Sequence, residues 1–71
     1  MGNYVIKNVA GKDYRIVVQI IKIYGGFVVD TQRVEREKKP DPFYTITFDA
    51  GLNELVEIEQ RIRCLGHYYV K

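Results

Sequence analysis

The polar positions of residues 13–26 (DYRIVVQIIKIYGG) decide their conformation, because the Val and Ile content alone would suit a strand. Arg15, Gln19 and Lys22 stand at i, i+4 and i+7. At about 100° per residue they fall within an arc of roughly 60° on a helix. On a strand, Arg15 and Gln19 would share a face with Val17, Ile21 and Ile23, and Lys22 would lie on the other. The segregated pattern predicts a helix, with Asp13 as its N-cap and Gly25 as its C-cap. The rest of its circumference, from Tyr14 through Ile16, Val17, Val18, Ile20, Ile21 and Ile23 to Tyr24, is a wide apolar arc. An arc of that width predicts heavy burial, by a sheet alone or by a sheet and a partner.

Around this helix the alternation has a period of two. Residues 4–9 (YVIKNV) read as a short strand, and 10–12 as a break. Residues 27–37 (FVVDTQRVERE) read as a strand that grows more polar along its length, followed by a loop at 38–42 with two prolines. Residues 43–49 (FYTITFD) give the cleanest strand, with Tyr44, Ile46 and Phe48 on one face and Thr45 and Thr47 on the other. From Gly51 to Leu65 the period returns to that of a helix. Leu52, Leu55, Ile58, Ile62 and Leu65 form its core stripe, Asp49 is the expected cap, and Glu57–Arg61 and Glu59–Arg63 are favourably ordered i, i+4 pairs. Gly66 stops the helix and residues 67–70 (HYYV) read as a last strand.

The predicted order is β-α-β-β-α-β. Right-handed crossovers then place two helices on one face of a four-stranded antiparallel sheet, with the first and third strands central, which is a ferredoxin-like α+β fold. The other face of the sheet stays open and would expose apolar surface unless something covers it.

Composition narrows the possibilities. A chain of 71 residues makes one domain, marginally stable alone. Cys64 is the only cysteine, so no disulfide closes within the chain, and one Cys with one His cannot complete a tetrahedral zinc site. Good packing or a homodimer is left to supply stability. The net charge of +2 is mild for a dedicated nucleic-acid binder. No apolar run approaches a membrane span, and no apolar segment follows a basic start as in a signal peptide, so a cytoplasmic protein is expected.

The segments VAGKDYRIVVQIIKIYGGFVVDTQ and FYTITFDAGLNELVEIEQRIRCLG resemble the ACT domain and its relative, the ligand-sensing domain of leucine-responsive regulators. Asp13 matches the Asp of the family's first strand-to-helix turn, and Gly25-Gly26 match the turn before its second strand. Tyr14-Arg15-Ile16 stand where the family has a glycine at the start of the first helix. The resemblance implies a regulatory module, dimeric, with an amino-acid-like effector near Asn8, Gly11 and Asp13.

Catalysis is not expected, and neither is a cofactor. The chain has no serine, and Cys64 and His67 are separated by the end of a helix with no third group to orient the histidine. Asp41 and Asp49 flank a strand without forming an evident acid–base pair. The alternative to an effector site is a nucleic-acid surface, DNA or RNA. Arg33, Arg36, Lys38 and Lys39 gather near the hairpin, and Arg15 and Lys22 line the first helix. The aromatic signature of RNA-recognition strands is absent, and Glu35 and Glu37 dilute the hairpin's charge.

Overall fold

A computed structural model describes residues 2–35, 41–66 and 68–71. Its elements run β1 (Gly2–Ala10), α1 (Gly11–Ile23), β2 (Phe27–Val34), β3 (Phe43–Ala50) and α2 (Leu52–Arg63). The sheet is three-stranded and antiparallel in the order β1-β3-β2. The four-stranded ferredoxin-like sheet expected above is therefore not formed.

The fourth strand is reduced to one bridge, Val70 opposite Ile6, on the outer edge of β1. Two backbone bonds of 2.9 Å support it, Val5 N–H to the Lys71 carbonyl and Lys71 N–H to the Val5 carbonyl. Pairing cannot run further because the register of β1 slips between Ile6 and Val9, and Asn8 sits at φ 61. A bulge of this kind ends a ladder on the strand that carries it. Asn is among the few residues that tolerate the left-handed region.

The polar arc of Arg15, Gln19 and Lys22 does mark a helix, as its spacing predicts. α1 nonetheless starts two residues before the expected cap. Ala10 is the N-cap, with extended φ −63 and ψ 146, and Asp13 lies inside the first turn. The irregularity placed at 10–12 sits instead at Asn8, so β1 runs into α1 with no loop between them. At the other end Gly25 takes φ 90, its N–H bonds the Lys22 carbonyl at 3.3 Å, and the Gly26 N–H bonds the Ile21 carbonyl at 2.7 Å. These are the paired bonds of a glycine-terminated helix, which satisfy carbonyls the last turn would leave open.

Alternation fixes the inner face of the sheet. Ile6 and Val9 of β1 and Ile46, Phe48 and Ala50 of β3 are buried against Val17 and Ile21 of α1 and Ile58 and Ile62 of α2. The apolar arc of α1 is wider than its buried stripe: Ile16 and Ile23 remain exposed. Leu52, assigned to the core stripe of α2, is 76% exposed at the first residue of that helix. Of the two expected ion pairs on α2, Glu59–Arg63 forms at 3.4 Å, whereas the Arg61 guanidinium lies 5.5 Å from the Tyr24 ring centroid.

Asp49 does not cap α2. β3 continues to Ala50, Gly51 takes the cap position, and Asp49 stays in the central strand between Asn3 and Phe27. Its Oδ1 is buried without a hydrogen-bond partner among the described residues. An unsatisfied carboxylate oxygen in a strand is unfavourable twice over, through desolvation and through low strand propensity.

Two stability predictions follow from these contacts. Asp49→Thr raises the denaturant midpoint, by about 1 kcal/mol of unfolding free energy; a fall would show that Oδ1 finds a partner in solution. Gly26→Ala lowers it by roughly 1–3 kcal/mol, as overpacking does, since a Cβ there would lie 2.8 Å from Ile21 Cγ2 and 3.0 Å from Ile58 Cδ1.

Candidate ligand-binding site

Three stretches distant in sequence converge where β1 meets α1. The β1 bulge contributes Lys7 and Asn8, the first turn of α1 contributes Lys12 and Asp13, and the chain after α2 returns with Tyr68, Tyr69 and Lys71. Between them lies an open cleft of about 540 Å³, within the range of small-molecule sites.

The junction lacks an ordinary cap. Alanine is a poor N-cap, and no side chain of the preceding strand bonds the first-turn amides. Instead the Ala10 N–H donates to the Tyr68 hydroxyl at 3.1 Å, and that hydroxyl donates to Asp13 Oδ2 at 2.6 Å. In a capping box the third helical residue reaches back to the N-cap N–H directly. Asp13 occupies that third position, and the Tyr68 hydroxyl relays the contact. The Asp13 carboxylate also complements the positive end of the helix dipole.

The Tyr68 pKa is raised above its ordinary value of 10.0. Burial is the largest cause, since it disfavours the phenolate. The hydrogen bond to Asp13, which needs the phenolic proton, and the carboxylate's negative charge act in the same direction. The Ala10 N–H opposes them.

Strand alternation then sorts the returning segment. Tyr68 and Val70 pack toward the core, while Tyr69 is 61% exposed and Lys71 is exposed beside it. Lys7 and Lys12 are exposed too, and none of these three lysines forms an ion pair among the described residues. Among the described residues Asp13 is the one carboxylate side chain lining the cleft, and it accepts from the Tyr68 hydroxyl.

Of the residues singled out in the sequence, Asn8 and Asp13 line this cleft. Gly11 does not line it; it is the first residue of α1, where a Cβ would meet only ordinary contacts, 3.6 Å from the Pro42 carbonyl oxygen and 3.9 Å from Tyr44. Lys7 and Lys12 were visible in the sequence as neighbours of those residues, but nothing in the sequence pairs them with Lys71, or Tyr68 with Asp13.

The basic residues of the alternative surface are divided. Arg15 and Lys22 border a shallow depression of about 310 Å³ on the outer side of α1, with Tyr14, Val18 and Gln19. Arg33 is across the sheet register from Tyr44 and is engaged by Glu35 at 2.7 Å. Arg36, Lys38 and Lys39 lie outside the described residues. Cys64 is exposed at the end of α2, and His67 also lies outside the described residues. No described helix is long and apolar enough to cross a membrane. No protein-family model matches the chain, and no curated protein matches its sequence.

Tyr68→Phe keeps the ring and removes both hydrogen bonds, so unfolding free energy falls by roughly 1–3 kcal/mol, measured by chemical denaturation at neutral pH. The pH dependence has a fixed sign. The folded chain holds the Tyr68 proton to higher pH than the unfolded chain does, so the bridge's contribution is complete below about pH 10 and is lost as pH rises through the raised folded value. The wild-type protein therefore loses stability in alkali more steeply than Tyr68→Phe; parallel pH profiles would contradict the bridge.

Proposed function

We propose that this chain is a non-enzymatic, ACT-like binding module that holds a small anionic effector in the cleft between the β1 bulge, the start of α1 and residues 68–71. The observation that carries this reading is the convergence on one open cleft of the first turn of a helix and three lysines that have no ion-pair partner among the described residues. Amides at a helix start favour negative charge, and here the side chains around them do the same. Asn8 and Asp13, the residues the ACT resemblance points to, belong to the same cleft. The nucleic-acid reading has less support, because Arg33 is engaged by Glu35 and Arg15 and Lys22 lie on a separate helix face.

The module acts as a homodimer in this reading. Support comes from the free edge strand β2, which exposes Phe27, Val29 and Val34, with Ile23 exposed at the end of α1 just before it. Apolar residues along an unpaired strand edge favour association with a second strand.

Thermal denaturation of the chain against a panel of amino acids, dicarboxylates and phosphate esters tests the site. At least one anionic compound raises the midpoint of the wild type, and the shift is smaller in Lys12→Gln. A flat response across the whole panel would dispose of the cleft as a ligand site. Sedimentation equilibrium tests the assembly: a dimer mass for the wild type that moves toward monomer in Phe27→Lys is expected, and a monomer for the wild type at high concentration would contradict it.

A further inference from the structure

We infer that the ligand of the cleft is a nucleoside phosphate, its phosphates held by Lys7, Lys12 and Lys71 and its base laid against the exposed ring of Tyr69. This deepens the reading above and rests on it. Among the described side chains the cleft carries three ammonium groups with no ion-pair partner, against the single carboxylate of Asp13, which keeps its charge while accepting from the Tyr68 hydroxyl, so a positive surplus of two remains. A zwitterionic amino acid presents one carboxylate to three cations and brings an ammonium that needs an acceptor of its own. A polyphosphate matches the surplus with its own charges and brings no cation.

The residue types agree with that assignment. All three cations are lysines, flexible point charges that can close on a tetrahedral phosphate from several directions, without the planar fork by which arginine selects a carboxylate. The amides of Gly11 and Lys12 open the helix without a side-chain cap, so they are available to a phosphate oxygen. The Ala10 amide is not, because Tyr68 takes it.

The second half of the assignment is the ring. Tyr69 is 61% exposed in the cleft wall, whereas Tyr68 is half-buried against the core. A solvent-facing aromatic beside a cationic groove is the arrangement that stacks nucleobases without reading their sequence. At about 540 Å³ the cleft has room for both parts of such a ligand.

Calorimetric titration of the full chain with ATP, tripolyphosphate, adenosine and L-leucine tests this, with circular dichroism confirming that every variant is folded. ATP binds most tightly, tripolyphosphate binds more weakly, and adenosine and leucine show no binding. Lys7→Gln, Lys12→Gln and Lys71→Gln each weaken ATP by about tenfold, the value of one charge-assisted bond. Tyr69→Ala weakens ATP by about tenfold while leaving tripolyphosphate unchanged. Lys22→Gln, on the separate face of α1, leaves ATP affinity as it is. Leucine binding in the absence of ATP binding would overturn the nucleotide assignment and leave the cleft standing. ATP affinity insensitive to all three lysine variants would overturn the assignment too. Silence toward all four compounds, together with a flat thermal panel, would remove the cleft as well.

Discussion

A hydroxyl near one end of the chain holds a helix near the other. Tyr68 accepts from the Ala10 amide and donates to the Asp13 carboxylate, so the first turn of α1 is completed by a residue more than fifty positions away. Without that bond the start of α1 would have an alanine at its cap and an amide turned toward the protein with no acceptor. With it, residues 68–71 are drawn against β1, where the single Ile6–Val70 bridge and the paired Val5–Lys71 bonds keep them. The cleft is a consequence of this arrangement, since one of its walls is the returning segment itself.

The β1 bulge is the second half of the same constraint. Asn8 in the left-handed region turns β1 out of register, and this stops residues 68–71 from zipping along its whole edge. A regular β1 would admit a full fourth strand and close the space between that strand and α1. The irregularity therefore gives up pairing along one sheet edge and leaves an opening rimmed by lysines. Local departures from ideal backbone geometry gather at binding sites for this physical reason: they prevent elements from saturating one another.

Much of the fold was legible from the spacing of side chains. Arg15, Gln19 and Lys22 identify α1 despite its β-branched composition, and Ile46 and Phe48 identify the buried face of β3. Cap positions were legible only in part. Gly25 could be placed to within one residue, just past the C-cap Tyr24, because a positive φ restricts the choice of residue. Asp13 and Asp49 could not, because an Asp before a helical pattern looks the same whether it caps, sits in the first turn or ends a strand. The fourth strand was overestimated for a related reason: HYYV has strand-forming residues, but its pairing depends on the geometry of β1, which a local pattern does not contain. The cleft was visible only at Asn8 and Asp13. Its lysines and its tyrosines meet through tertiary structure, with no spacing in the chain to announce them.

In the proposed reading the Tyr68 bridge, the β1 bulge and the returning segment form one ligand site. Backbone-amide chemical-shift mapping during titration with ATP measures it most directly. Shifts that concentrate at Asn8, Gly11, Lys12, Tyr69 and Lys71 and leave Gln19 and Lys22 unmoved are expected. Shifts confined to the outer face of α1 or to β2, with the amides around Tyr68 silent, would contradict it.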